Sequence, residues 1–132
     1  MAYFTYKLLQ KFIKNDANFL FLAIFSMLPD VDFLIPFLRH RGSTHSLSAI
    51  LFLLFFTIFF TRLVPYLAAF SSHILIGDLF TAYGVRLFWP LSKEFYVIPI
   101  SFLGGWNQLL IEFTLFFFSI LLFFYTQDYK RV

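Results

Sequence analysis

Hydrophobic positions cluster along this chain in long runs, and the polar positions between them are concentrated rather than scattered. Residues 1–14, MAYFTYKLLQKFIK, interleave aromatic and aliphatic side chains with Lys7, Lys11 and Lys14 at roughly helical spacing. This pattern predicts an amphipathic helix, either lying on a membrane surface or packing its apolar side on a bundle while the lysines reach headgroups. No small-residue cleavage site follows the next apolar run, so the segment reads as retained. Residues 17–28 are apolar for twelve positions up to Pro29, short of the roughly 20 that cross a bilayer as a helix. They either join the first segment as one tilted helix or form a half-span ending at Pro29, where irregular backbone is tolerated beside a polar cavity. Residues 33–38, with Pro36, are a brief apolar link too short to cross.

Gly42 and Ser43 supply a turn and an N-cap, after which residues 44–61 are almost wholly apolar and predict the clearest spanning helix, closed by Arg62. Residues 63–83 run back as a second span with Pro65 in its first turn, placing His73 near the middle and Asp78 toward the exit. The loop 84–100 carries Arg86, Trp89, Pro90, Lys93 and Glu94, an interfacial mixture. Residues 104–125 return as the last span, with Asn107 and Glu112 in its first turns. The expected fold is all-α, a polytopic membrane helical bundle of about three to four spanning helices plus the N-terminal amphipathic segment, making one integral membrane domain over residues 1–132. No internal repeat, low-complexity tract or heptad pattern is present.

Composition agrees with that reading. Of the chain, 61% is hydrophobic and 13% charged, and the mean hydropathy is +0.82. A soluble domain of this size would leave large apolar patches exposed from its 23 phenylalanines, which lipid accommodates directly. With no cysteine, disulfides and thiolate metal sites are excluded, so any metal is held by nitrogen and oxygen. The formal charge of +3 is spread over loops and termini, which suits membrane flanks and not a nucleic-acid surface.

Against this background the stretch 27–46, MLPDVDFLIPFLRHRGSTHS, stands out for its density of ionisable groups. Charge beside lipid persists mainly where it pairs, binds an ion or faces an aqueous cavity. The antiparallel layout brings Asp30, Asp32, His40, His45, Asp78, Asn107 and Glu112 toward one membrane face, with His73 deeper, as a single cavity requires. Histidine with carboxylate suits zinc, manganese or iron, and its carboxylate-rich part suits magnesium. Spacing alone does not decide: His40 and His45 are five apart, as are His73 and Asp78, and five residues of a regular helix turn about 140°. Each pair needs a bend, offered by Gly42 in the first case and Gly77 in the second. The bland readings are a turn at Asp30 and Asp32, interfacial anchoring by Arg39 and Arg41, an interhelical hydrogen bond at His73 or Asp78, and a Glu112–Arg86 pair. Joint placement of all three histidines with four carboxylates favours a shared ion or substrate site.

Leu28-Pro29-Asp30-Val31-Asp32, then His40-Arg41-Gly42-Ser43-Thr44-His45-Ser46, then Ser72-His73-Ile74-Leu75 with Asp78 and Thr81, then Gly84-Val85 and 87–90, resemble in order the signatures of the YdjM-like membrane-bound metal-dependent hydrolases. The resemblance spans about residues 28–112, and its most specific block is HRGxTHS. It implies a small integral membrane protein with metal-dependent hydrolase activity, with Asp30, Asp32, His40, His45, His73 and Asp78 as metal-site candidates and Arg41 as an anion holder. Asn107 and Glu112 match the polar start of the family's last helix loosely. Two positions depart from the pattern. Thr5 is followed by Tyr6 where family members often carry a Thr-His pair, and Phe33 follows the second aspartate where many have histidine.

The expected function is a metal-dependent hydrolase in the membrane plane, acting on a phosphoester or lipid-like substrate at the interface. A divalent zinc, manganese or magnesium ion would activate water, a carboxylate (Asp32 or Glu112) would serve as base, and Arg41 would stabilise developing negative charge. The alternative is a non-catalytic membrane protein using the same cluster to bind an ion or assemble with a partner. Membrane lipid is the expected neighbour and nucleic acid is not. Lys7, Lys11, Lys14, Arg62, Lys130 and Arg131 fall opposite the site against Arg39, Arg41, Arg86 and Lys93 beside it, so the positive-inside rule slightly favours cytoplasmic termini and an external site, and the expected location is the cytoplasmic membrane.

Overall fold

Helix α4 (Val64–Ser72) is the element against which three of the other helices of the computed structural model pack. The structure describes residues 2–10, 12, 16–81, 83–98 and 105–128, excluding the side chains of 105–109, 111 and 112. Pro65 occupies the first turn of α4, where its missing N–H has no helical partner to lose. A 3-10 turn (Thr61–Leu63) leads into α4, and a π-helical turn (His73–Gly77) and a second 3-10 turn (Asp78–Phe80) continue it. Thr61–Phe80 is thus one 20-residue helical segment of mean hydropathy 1.4, and among the described residues it alone is long and apolar enough to cross a membrane.

The remaining helices are α1 (Ala2–Leu9), α2 (Phe19–Met27), α3 (Leu47–Phe59) and α5 (Gly105–Tyr125), with no strand among the described residues. The all-α expectation holds, while the three to four spans of the sequence pattern are not all met by helix length. Ser46 caps α3, accepting a hydrogen bond from the Ala49 N–H at 3.3 Å, so regular helix starts at Leu47 and not at Thr44. The resulting 13 residues rise only about 20 Å against a hydrocarbon core of about 30 Å. Residues 17–28 follow the half-span alternative. Asn18 caps α2 through the N–H groups of Leu20 and Phe21, and nine residues later the helix passes at Pro29 into a 3-10 turn (Leu28–Leu34).

Two apolar clusters hold the helices together. Near the termini, Ala2, Tyr3, Tyr6, Leu22 and Ala69 are buried together with Leu122 and Phe123 against them. Beneath the polar stretch, Phe70, Ile74, Leu79 and Val85 pack with Ala49, Leu53 and Leu87. An antiparallel bridge between Val85 and Tyr96 closes the intervening loop.

Helix α1 takes the bundle-packing alternative. Its lysine does not reach outward: Lys7 Nζ lies 2.6 Å from Asp128 Oδ2, beyond α5, and the Tyr3 hydroxyl donates to the same oxygen at 2.6 Å. Burial pushes the Asp128 carboxyl up, but Lys7 and Tyr3 outweigh it and hold it below the usual carboxylate range. Burial and the Asp128 hydrogen bond together push the Tyr3 phenol above its usual range. A depressed carboxyl contributes stability that is present above its ordinary value of 3.8 and lost as pH falls through the folded value. A raised phenol acts on the other side: above 10.0 the unfolded chain releases the proton that the fold retains, so stability falls as pH rises. The stability difference between wild type and Asp128→Asn, measured by chemical denaturation in detergent, is therefore expected to be flat from about pH 5 to about pH 9 and to shrink below about pH 4. A difference that grew on acidification would contradict this clamp.

Candidate metal centre

His73 and Asp78 belong to one helical segment at a spacing that an α-helix would point apart, and the π-helical turn removes the obstacle. In it the Asp78 N–H donates to the carbonyls of both His73 and Ile74. This i to i+5 bonding puts residues five apart on one face. His73 Nε2 and Asp78 Oδ2 accordingly lie 3.1 Å apart.

His45 arrives from the 3-10 turn Ser43–His45, entered through Arg41 at φ 59° and Gly42. The αL conformation of Arg41 is uncommon for a side chain of that size. It is held from both sides: the Arg41 N–H donates to Asp32 Oδ2 at 3.1 Å, and its carbonyl accepts from the Arg86 N–H at 3.1 Å. Asp30, in the 3-10 turn after α2, completes the group. His45 Nε2 lies 3.3 Å from both Asp30 Oδ1 and Asp78 Oδ2, and His73 Nε2 lies 3.4 Å from Asp30 Oδ2.

Among the described residues, His45 Nε2, His73 Nε2 and Asp78 Oδ2 are buried without a hydrogen-bond partner. Buried polar atoms are rarely left in this state. Ligand atoms about 2.0–2.2 Å from a tetrahedral ion are separated by roughly 3.3 Å, which the distances among these atoms match. Asp30, His45 and His73 are thus a group able to hold a metal ion, and Asp78 points into the same space.

A second such group, Asp32, His40 and His45, shares His45 but uses its other ring nitrogen. Its atoms are already engaged. Asp32 accepts from His40 Nδ1 at 2.9 Å and from the Thr44 hydroxyl at 2.8 Å, besides Arg41. Burial pushes the Asp32 carboxyl up, but these hydrogen bonds and the adjacent imidazoles hold it below the ordinary carboxylate value. Since Thr44 gives its one proton to Asp32, its oxygen accepts from His45 Nδ1–H at 3.1 Å. That relay sets the tautomer that leaves His45 Nε2 bare, in the manner of a carboxylate behind a metal-bound histidine.

Arg41 spans the site. Its guanidinium pairs with Asp78 Oδ1 at 3.2 Å and donates to the Thr81 hydroxyl. The side chains of Asn107 and Glu112 lie outside the described residues.

The profile of the family described as YdjM inner membrane protein matches residues 1–131. The chain belongs to this family. No curated protein and no solved structure gives a significant match. For this YdjM-family chain, membership makes it an inner membrane protein by family description, consistent with its apolar composition. The two departures fall near functional structure without leaving holes. Tyr6 is buried and its hydroxyl accepts from the Ala17 N–H at 3.2 Å, tying α1 to the start of α2. The Phe33 ring packs on the His40 ring, with centroids 3.7 Å apart. Sequence reasoning left Thr44 and Thr81 without a role; in this YdjM-family site the first sets a histidine tautomer and the second anchors Arg41. Thr44 directly precedes His45, and hydroxyl residues next to a candidate ligand are the signal that was available.

Proposed function

We propose that this YdjM-family protein is a metal-dependent hydrolase working in the plane of the inner membrane on a phosphoester of lipid-like character. The observation that carries the reading is the convergence of three buried atoms that lack hydrogen bonds among the described residues, His45 Nε2, His73 Nε2 and Asp78 Oδ2. With Asp30 they would hold a divalent ion, zinc or manganese by donor type. Such an ion supplies the charge that brings the pKa of a water toward neutrality and polarises the scissile group.

The surrounding residues then divide the work. Asp32 sits behind His45 and His40 as a positioning group, because its oxygens are already taken up by hydrogen bonds. His40, oriented by Asp32 and with its side chain 33% exposed, is placed to carry a proton between the site and solvent. Arg41 is held by Asp78 and Thr81 next to the ion position, where it offsets negative charge on a phosphoryl group. No step is routed through Glu112.

A lipid-like substrate is supported by the loops beside the site. Phe37 and Leu91 are 95% and 93% exposed, and Phe33 and Leu34 are also exposed, which is costly in water and natural at a bilayer interface. The apolar side chains exposed along α3 and α5, among them Phe52, Phe55, Ile58, Phe113, Phe117 and Leu121, support reading both helices as further spans beside Thr61–Phe80. Labelling of single introduced cysteines from either side of the membrane reads the span count and the orientation, since the chain has no cysteine of its own.

Metal-loaded protein in detergent is expected to hydrolyse an aryl phosphoester, to stop on chelation and to recover on re-addition of metal. His40→Gln should slow turnover on the order of 100-fold at unchanged metal content. Absence of turnover on aryl phosphoesters and phospholipids by protein with full metal content would move the assignment to ion binding or partner assembly.

A further inference from the structure

Beside the metal group lies a cavity of about 480 Å³ lined by Arg39, His40, Arg41, Tyr83 and Phe95. Positive charge gathers at its Phe95 wall: Arg39 lines the cavity, and Arg86, which does not line it, shares the Phe95 ring. Arg39 and Arg86 both stack on the Phe95 ring, with guanidinium carbons 5.5 Å and 5.0 Å from its centroid. Arg41 lies 5.5 Å from the Tyr83 ring on the inner side of the cavity. Of the three, Arg41 alone has a carboxylate partner among the described residues, Asp78. Aromatic stacking stabilises each cation modestly, but gathering two at one ring costs mutual repulsion that an anion would remove. A second observation points the same way: among the described residues Arg86 Nε is buried without a hydrogen-bond partner. A buried donor in that state costs free energy until an acceptor reaches it.

The backbone keeps this arrangement in register with the metal group. Arg86 N–H donates to the Arg41 carbonyl at 3.1 Å, so the outer and inner arginines are tied together. Arg41 in turn touches Asp78, whose other oxygen faces His45 and His73. The positive groups thus form a series running outward from the metal group.

We propose that this cavity is the seat of a second phosphoryl group, so that the substrate is an amphiphile carrying a diphosphate, with Arg39 and Arg86 as its specificity-determining residues. The inference rests on the hydrolase reading above and names its substrate class. Arg41 lies between the two seats. In the reaction, the water oxygen bonds to the terminal phosphorus as the bond from that phosphorus to the bridging oxygen breaks. The bridging oxygen and its electron pair leave with the organic monophosphate. One proton of the water stays on the inorganic phosphate formed, and the other passes to His40 or solvent.

The test measures binding, not turnover. Dissociation constants for methylenediphosphonate and methylphosphonate are determined on zinc-loaded, detergent-purified protein at fixed free zinc. Wild type is expected to prefer the diphosphonate by at least about 10-fold, as an added guanidinium–phosphonate contact would give. Arg39→Gln and Arg86→Gln should each erase the preference while leaving methylphosphonate affinity and zinc content unchanged, and Arg39→Gln should leave the thermal midpoint unchanged as well. Because Arg39 is exposed, its variant keeps the proposal testable even where Arg86→Gln perturbs folding. Zinc bound without any preference in wild type, or a preference surviving in both variants, overturns the second seat and leaves the hydrolase reading standing. Absence of zinc with the preference intact supports the seat and removes the hydrolase reading. Loss of the preference in nanodiscs of anionic but not zwitterionic lipid would assign the arginines to bilayer headgroups and overturn the proposal.

Discussion

His45→Ala is expected to reduce bound metal from about one equivalent to background, and to do so without unfolding the helices. His45 Nε2 is the atom shared by the contacts to Asp30 and Asp78, so its removal takes a ligand from the centre of the group and not from its edge. The variants that separate the two possible groups are His73→Ala and His40→Ala. If the ion is held by Asp30, His45, His73 and Asp78, the first loses it and the second keeps it. The reverse result would place the ion on Asp32, His40 and His45 and defeat the argument from unpartnered atoms. Thr44→Val should weaken affinity by about 10- to 100-fold, because it removes the hydrogen bond that fixes the His45 tautomer and leaves every ligand in place. Stability offers an independent readout. A ligand that binds only the folded state adds about 2.7 kcal/mol at 100 times its dissociation constant. Metal should therefore raise the thermal midpoint of wild type and Thr44→Val, and leave that of His45→Ala unmoved. Circular dichroism of the metal-free proteins checks that helix content is the same in all.

The parts of this site that were legible in the sequence are those set by chain direction. Two antiparallel segments joined by a short turn must bring Asp30, His45 and Asp78 to one end, whatever the details of packing. What one-dimensional spacing cannot express is a change of helical period. His73 and Asp78 look mismatched on a regular helix, and Gly77 hinted at a distortion without saying that it would be the π-helical turn that aligns them. Nor can residue type separate a ligand from its support. Asp30 and Asp32 are the same chemistry two residues apart, yet Asp32 is buried under three hydrogen-bond donors while Asp30 faces the two imidazoles. The Lys7–Asp128 pair was hidden for another reason: its partners stand at opposite ends of the chain, and periodicity carries no information across that separation. Helix length departs from the hydropathy pattern on a local detail, because the Ser46 hydroxyl fixes where α3 starts and hydropathy alone does not.

Gly42→Ala is the substitution outside the ligands expected to have the largest effect on the site. An added Cβ at Gly42 would stand 2.6 Å from the Arg39 carbonyl oxygen, a backbone atom and not the end of a side chain that can swing away. That carbonyl also accepts the Gly42 N–H at 3.0 Å, so moving it aside opens the turn that links Arg39 to the 3-10 turn bearing His45. Arg41, already at φ 59°, leaves little freedom on the other side of the glycine. Overpacking of this kind costs about 1–3 kcal/mol. Relief of the clash by rotation of Arg41 would break the hydrogen bond from its N–H to Asp32 and the ion pair from its guanidinium to Asp78 together. Metal affinity and phosphonate binding should therefore fall in parallel in Gly42→Ala, whereas Arg39→Gln affects only the preference for the diphosphonate. An alanine variant with wild-type metal content and unchanged stability would mean that the turn tolerates a Cβ, and that the backbone path through Arg41 does not control the placement of His45.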